Sequence, residues 1–451
     1  MRKTGVRSSE EVSVMEMERR DLVLIVLLTE REELMNKTKS FDIPKQLIWK
    51  AYKQVSKNKG AAGVDEVSIT KFEENLKDNL YKLWNRMSSG SYFPEPVKAV
   101  AIPKDTGGGQ RILGVPSVFD RIGQTAASMY LEPLVEPKSH EDSYGYRPNK
   151  SALDAVDTAR KRCWRYDWTI DLDISGFFDN LDHELALQAI KKHTDCKWVI
   201  LYVERWMKTP IQLADGSRVV REKGVPQGGS ISPIISNIFM HHAFDEWMKQ
   251  NYPTIPFERY VDDAIVHCKT QRQAEFMKDK IEERLAEYKL KLHPEKTQIV
   301  YCKDHCRKDE FPIQSFDFLG YTFRPRLAKN NKVGTYFVSF LTAISNKAKK
   351  KICQVIRSWR IHRQTSTTLE EISKKVNPIV RGWYQYYGRF YRIEIYKPLK
   401  NIERQLEKWA RRKYKKLQTH GRLARQLLGK MRKEGPDTFY HWTLGLGQKA
   451  E

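Results

Sequence analysis

Cysteine is scarce in this chain, six residues in 451, and the six are scattered. A disulfide framework is therefore excluded as the source of stability, and a reducing compartment is expected. "CKDHC" does gather Cys302, His305 and Cys306, but no second ligand pair follows at zinc-site spacing, so a surface turn is expected there. Long apolar runs are missing as well. The one sustained run, "LVLIVLL" at Leu22–Leu28, falls far short of the about 20 residues that cross a bilayer. Charges flank it and no signal-peptide cleavage region follows, so a packed helix or strand is expected and a membrane partner is not. Internal repeats and low-complexity tracts are absent too. The last deficit is acidic: 56 Asp and Glu face 80 Lys and Arg, giving a net charge of +24 and a pI near 9.6. Such a balance favours a polyanionic partner, nucleic acid first.

What is present reads as a globular protein of two or three domains, with 40% hydrophobic and 11% aromatic residues. Residues 1–41 are charge-rich and weakly patterned, an N-terminal extension. Ile48, Tyr52 and Val55 then keep a helical period before a loop at Gly60–Gly63. From Pro96, "VKAVAIPK", "DTGGGQ" and "RILGVPS" predict a hairpin that leads into a helix from Asp120, with Lys104 and Arg111 on either side of the tip. Between Asp167 and Gly320 helices alternate with strands, which predicts a sheet covered by helices on one face. After about Arg326 the texture is helical and basic. Leu341–Arg360 holds six basic residues and no acidic one, and Asn401–Lys433 holds twelve basic and two acidic. Helices charged this way repel one another unless a phosphate backbone lies against them. The expected divisions are 1–41, 42–325 and 326–451.

"FERYVDDAIVHC" places Asp262 and Asp263 where one apolar strand turns into the next. In a tight turn acids are common, so the pair alone is weak. Upstream, however, "TIDLDISGFFDN" carries Asp171 and Asp173 two residues apart on another strand, hence on one face. Carboxylates gathered on one sheet raise each other's pKa unless a cation joins them. Mg²⁺ prefers such hard oxygen ligands, and a pair of such ions serves in-line phosphoryl transfer. On a basic protein this chemistry fits a polymerase or a nuclease.

These residues also carry a resemblance. "RYVDDAIVHC" resembles the catalytic hairpin of reverse transcriptases. "IPKDTGGGQRILGVPSVFDRIGQ", "YGYRPNKSALDAV", "DLDISGFFDNLDHE", "GVPQGGSISPIISNIFM", "HPEKTQIV" and "FDFLGYTF" match further blocks of that family in the right order. "NKGAAGVDE", "GYRPNKSALDAV" and "NPIVRGWYQYYGRF" narrow the resemblance to the reverse transcriptases encoded by group II introns, which also act as splicing maturases. It extends from about Ile43 to the C-terminus. The resemblance implies an α+β right-hand polymerase, with fingers and palm built on a small antiparallel sheet covered by helices, followed by an all-helical basic thumb and maturase domain.

Further implications are residue by residue. Asp173, Asp262 and Asp263 would be catalytic and would hold two Mg²⁺ ions, for which Mn²⁺ can substitute, with the backbone carbonyl of Ile174 as a further ligand. Asp171 reads as a structural acid at a strand end. Lys104 and Arg111 would clamp the triphosphate, Phe178 would gate the sugar, and Gln227 and Lys296 would complete the nucleotide site. Phe318, Leu319, Gly320 and Tyr321 would grip the primer end. Lys349, Lys350, Arg381, Trp383, Tyr386 and Arg389 would contact primer, template or RNA, although Trp383, Tyr384 and Tyr387 equally suit a helix core. The implied partners are structured intron RNA in a ribonucleoprotein, an RNA template, a DNA primer or target, and dNTPs. The implied location is the cytoplasm. No His-Asn-His-type nuclease segment follows the basic helices, so a form without endonuclease is expected. Val261 stands where intron-encoded members most often have Ala, which keeps a domesticated relative serving host repair or defence as an alternative, beside a maturase acting mainly as a splicing factor.

Overall fold

The computed structural model describes residues 39–103, 110–330 and 332–446. The apolar run Leu22–Leu28, most of the extension and Lys104 lie outside them. Among the described residues eleven strands follow in chain order: β1 (Val97–Pro103), β2 (Gln110–Val115), β3 (Trp168–Leu172), β4 (Ile211–Gln212), β5 (Arg218–Val219), β6 (Phe257–Tyr260), β7 (Asp263–Cys268), β8 (Gln298–Tyr301), β9 (Phe316–Phe318), β10 (Tyr321–Lys329) and β11 (Tyr336–Ile344). The chain divides into two interleaved units. One takes the chain up to Asn149 with Ile174–Pro253 and Lys280–Leu292; the other takes Lys150–Asp173, Thr254–Asp279 and everything from His293.

In the first unit the expected helix forms over Lys45–Lys57 and buries Ile48, Tyr52 and Val55, the residues whose spacing announced it. The hairpin of β1 and β2 joins a sheet in the order β2-β1-β4-β5. The helix after it starts at Val118 because Ser117 caps it, its Oγ accepting the backbone N–H of Asp120 at 3.1 Å. Ile122, Ala126, Ala127 and Leu131 of this helix are fully buried.

In the second unit β6-β7-β3-β8 form one antiparallel sheet. Its strands are short and apolar enough to bury most of their residues: Ile170, Ile265, Val266 and Val300 are inaccessible to solvent. Helix Ala152–Cys163 packs against β6 and begins with a capping box of Ser151 and Asp154. A second sheet, β11-β10-β9, follows. Helices take over only at Asn346, where Ser345 provides the cap, so the first part of 326–451 is strand rather than helix. "YFVSFLTAI" has the β-branched and aromatic residues that favour a strand, and the basic density just after it obscured this boundary. Helices Asn346–Ser358, Leu369–Tyr387, Arg392–Lys413 and Gly421–Glu434 share a core of Ile352, Ile356, Val380, Ile395, Leu399, Leu406 and Trp409. Among the described residues no helix is long and apolar enough to cross a membrane.

Candidate active site

Tyr260 pairs with Asp263, so Val261 and Asp262 form the two-residue turn between β6 and β7. Val261 adopts φ +64°, a left-handed conformation that a β-branched residue resists. Its carbonyl accepts a hydrogen bond from Arg259 Nη1 at 2.9 Å, and Arg259 is itself 1% exposed. Across the sheet Asp171 lies opposite Ile265 and Leu172 opposite Ala264. Cross-strand partners share a face, and alternate residues of a strand do too. Asp171 and Asp173 therefore lie on the face that carries Asp263 and Ile265. The backbone of Asp173 is pinned where β3 ends: its carbonyl accepts from His293 N at 2.7 Å and from Thr297 Oγ1 at 3.2 Å.

Gathering these acids has an electrostatic cost. Desolvation, then Asp263 and Asp173, push Asp171 well above the usual carboxylate range. Asp263 is pushed up to about 7 by desolvation, then by Asp262 and Asp173, against the opposing pull of Lys296 and Lys347. Lys296 Nζ stands 3.2 Å from Asp173 Oδ2 and 3.4 Å from Oδ1. Its ammonium is a cation standing in where the acids require one. Hard oxygen donors, like charges that oppose ionisation and a stand-in cation fit a divalent metal site. Asp171 shares the face of Asp173, as their two-residue spacing predicts, and belongs to the same charge cluster. One feature here escaped the sequence reading. Lys347 acts on Asp263 from the first turn of helix Asn346–Ser358, and no local signal could reveal that.

The first unit brings three of the predicted segments together. After Gly176, with φ +55°, the chain makes the short helix Phe177–Asn180; Phe177 is buried and Phe178, half-buried, meets it edge-on at 5.3 Å. The "GVPQGG" loop docks on this turn, with Val225 N donating to Phe178 O and Gly224 N to Leu181 O, both at 2.7 Å. A Cβ on Gly224 would lie 2.7 Å from the carbonyl oxygens of Phe178 and Asp179, so the loop depends on glycine there. Gln227 Nε2 reaches Asp179 Oδ2 at 3.5 Å, and Gln227 O accepts from Gly114 N at 2.8 Å. The loop is thus tied to β2, which carries the exposed Arg111 opposite Ile102. Ile174 is buried and bridged to Leu292.

The predicted nucleic-acid residues of the second unit separate into inward and outward groups. β9 and β10 meet at a two-residue turn in which Leu319 and Gly320 both have positive φ, +49° and +81°, as a tight hairpin requires. Phe318 and Tyr321, on either side, are buried, so only the Leu319–Gly320 turn is presented. The Tyr321 hydroxyl donates to Tyr386 O, and the Tyr386 hydroxyl donates to Leu319 O at 2.8 Å. Trp383 stacks on Trp359 with ring centroids 5.5 Å apart. Lys349 is ion-paired with Glu394, whose carboxyl falls to about 2 because Lys349 and Lys397 outweigh the opposing effect of burial. Lys350, Arg381 and Arg389 are exposed. His362, Lys408, Arg411, Arg412, Lys415 and Gln418 line a basic groove. The "CKDHC" segment is a turn as expected, with His305 and Cys306 exposed and Asp304 bonded to Arg307.

Two families match the chain in succession: "Reverse transcriptase (RNA-dependent DNA polymerase)" over residues 102–323, and "Group II intron, maturase-specific domain" over residues 349–427. Protein YkfC of Escherichia coli is 29% identical over 343 residues, which cover 65% of this chain and 86% of the relative. Group II intron-encoded protein LtrA of Lactococcus lactis is 29% identical over 222 residues, 47% of this chain and 35% of the relative, so the match spans about a third of LtrA. The mitochondrial Nuclear intron maturase 1 of Arabidopsis thaliana is 26% identical over 93 residues, 21% of this chain and 13% of the relative. With a reverse transcriptase domain followed by a maturase-specific domain, in that order, the chain belongs to the group II intron reverse transcriptases and maturases.

Proposed function

We propose that the chain is an RNA-directed DNA polymerase that binds group II intron RNA, assists its splicing and copies it by Mg²⁺-dependent nucleotidyl transfer. The observation that carries this reading is the gathering of Asp171, Asp173 and Asp263 on one sheet face beside the Asp262 turn, with Lys296 Nζ at 3.2 Å from Asp173. Asp173, Asp262 and Asp263, with the carbonyl of Ile174, would hold two Mg²⁺ ions. Bound there, the ions supply Lewis-acid stabilisation to the attacking and leaving oxygens. Burial, then Asp263 and Asp173, push the Asp171 carboxyl well above the usual carboxylate range, which opposes adding its charge to the cluster. Lys296, 3.2 Å from Asp173 Oδ2, would offer its ammonium to the nucleotide phosphates. The family pattern assigns the triphosphate to Lys104 and Arg111, the sugar edge to Phe178 and the base pair to Gln227. Guanidinium suits the triphosphate because it binds two oxygens at once.

The RNA-binding half of the reading is supported by the groove of Lys408, Arg411, Arg412 and Lys415, together with exposed Lys350, Arg381 and Arg389. Primer extension tests the polymerase half. A DNA primer on an RNA template is expected to grow with dNTPs and Mg²⁺, and neither with NTPs nor in the presence of chelator. An extension unaffected by chelation would remove the metal role of the carboxylates, and no extension under any condition would leave the splicing role alone.

A further inference from the structure

A gate made of one aromatic ring discriminates only as sharply as the backbone beneath it is held. Phe178 lies in the four-residue helix Phe177–Asn180, far below the length at which a helix stands alone. Two things steady it. Phe177 anchors the turn through its buried ring, which meets Phe239 with centroids 6.4 Å apart. The start of the glycine-rich loop does the rest, with Val225 N donating to Phe178 O and Gly224 N to Leu181 O.

The two halves of that loop are held by different means. Its later half is braced by distant parts of the first unit: Gly114 N donates to Gln227 O at 2.8 Å, Ser232 Oγ to Pro226 O at 2.7 Å, and Ser230 N to Gln124 Oε1 at 2.8 Å. Its first half, Gly224 and Val225, is buried on the Phe178 turn. There His183 Nε2 stands 2.7 Å from Gly224 O. A carbonyl oxygen only accepts, so Nε2 carries the proton in this contact. Burial holds the His183 imidazole below its ordinary pKa, which favours the neutral ring. Other side-chain ties between turn and loop, Lys223 Nζ to Asn180 Oδ1 at 2.9 Å and Gln227 Nε2 to Asp179 Oδ2 at 3.5 Å, are exposed, and water competes for them.

The His183 ring is not needed by its own helix. Helix His183–Lys191 is capped by Asp182, whose Oδ1 accepts Leu185 N at 3.0 Å, and it packs through buried Ala186, Ala189 and Ile190. The ring serves the loop instead. An aliphatic side chain in its place would leave the buried Gly224 carbonyl without a partner, a cost that the loop relieves by moving off the turn.

We propose that His183 is a positioning residue for sugar selection. By holding Gly224 O it keeps the Gly224–Val225 backbone against the Phe178 turn, and so sets how sharply the Phe178 ring excludes a ribose. The inference rests on the reading of Phe178 as the sugar gate.

Single-nucleotide extension of a DNA primer on an RNA template by the full chain, with a dNTP and with the matching NTP, gives the ratio of the two kcat/KM values. His183→Leu is expected to lower this discrimination by about 10-fold, chiefly by raising kcat/KM for the NTP. His183→Gln, whose amide nitrogen can donate to the same carbonyl, should restore most of the parent ratio. Phe178→Ala reads the gate directly and should relax the ratio at least as far as His183→Leu. Where His183→Leu does not fold, His183→Asn, polar but too short to reach Gly224 O, takes its place and is judged in the same way. A relaxed ratio in Phe178→Ala beside a parent-like ratio in the folded His183 variant would overturn the proposal and leave the gate standing. Equal relaxation in His183→Leu and His183→Gln would also overturn it, since the ring would then serve packing alone. A parent-like ratio in Phe178→Ala would remove the gate, and the proposal with it.

Discussion

Around β3 and β7, short apolar strands bring Asp171, Asp173 and Asp263 onto one face. In the helices from Asn346 onward, apolar stripes bury Ile352, Leu399 and Trp409 and leave lysine and arginine outside. Both regions concentrate charge of one sign, but at different densities. Desolvation and the crowding of the acids raise Asp263 to about 7, whereas Lys350, Arg381 and Arg389 are spread over a solvated surface. Crowded charge calls for a small, multivalent counter-ion at a fixed point. Spread charge suits a polyanion that makes many weak contacts, each screened by salt.

Removing a member of the crowded set should cost most. Asp262→Ala is expected to lower primer extension by about 10³-fold or more, because the metal's contribution is several kcal/mol. RNA binding by the same variant, read by fluorescence anisotropy, should stay within about twofold, since no counter-ion release changes. Loss of both together would mean that the turn supports the fold rather than the chemistry.

Exchanges within the spread set should act in the opposite way and more gently. Lys408→Gln with Lys415→Gln should weaken RNA binding by about 10-fold at moderate salt. The slope of log affinity against log salt should fall by about 0.7 to 0.9 for each phosphate that the protein no longer neutralises. Primer extension at saturating template should change little. A variant whose salt slope equals the parent's would show that this groove does not face phosphate.

How far each region was legible in sequence follows the same division. The acidic turn could be read because strand alternation and a two-residue turn are local, and the order of the motifs carried the rest. The helical character of the thumb was legible from composition, but its starting point was not, since β11 runs into a basic helix without a break. The separation of inward from outward side chains was not legible either. Phe318 and Tyr321 look as available as Leu319, yet both are buried, Tyr321 against Tyr386, Tyr387 and Phe390, more than sixty residues away. Lys349 resembles Lys350 in sequence, yet Glu394, on another helix, takes it as an ion-pair partner. Such pairings join residues far apart in the chain, and no local pattern encodes them.

The charge cluster also predicts a pH effect in the metal-free protein. An acid with a higher pKa folded than unfolded binds more protons in the folded state. Its burden is absent at low pH and grows as pH rises from the ordinary 3.8 through about 7. Asp263→Asn should therefore raise the melting temperature of the metal-free chain at pH 8 and leave it nearly unchanged at pH 4, while reducing primer extension. Mg²⁺ should stabilise the parent more at pH 8 than at pH 5 and should do less for the variant. Equal melting temperatures for parent and variant at pH 8 would mean that Asp263 is relieved without metal.

The smallest effect concerns the turn that carries these acids. Val261 is buried, 3% exposed, yet left-handed at φ +64°. At an ordinary buried strand position Ala is more stable than Gly by roughly 0.5–1 kcal/mol, because Gly loses more backbone freedom on folding. At a left-handed position the order reverses, since any Cβ costs about 1–2 kcal/mol there and Gly avoids it. Val261→Gly should therefore melt no lower than Val261→Ala, although it buries less. Both should lie within about 1–2 kcal/mol of the parent, whose side-chain burial offsets its strain. If Ala proves the more stable of the two, the turn relaxes without strain. The stiffness that would otherwise fix Asp262 relative to Asp263 must then come from the Arg259 hydrogen bond to Val261 O, which Arg259→Lys would test next.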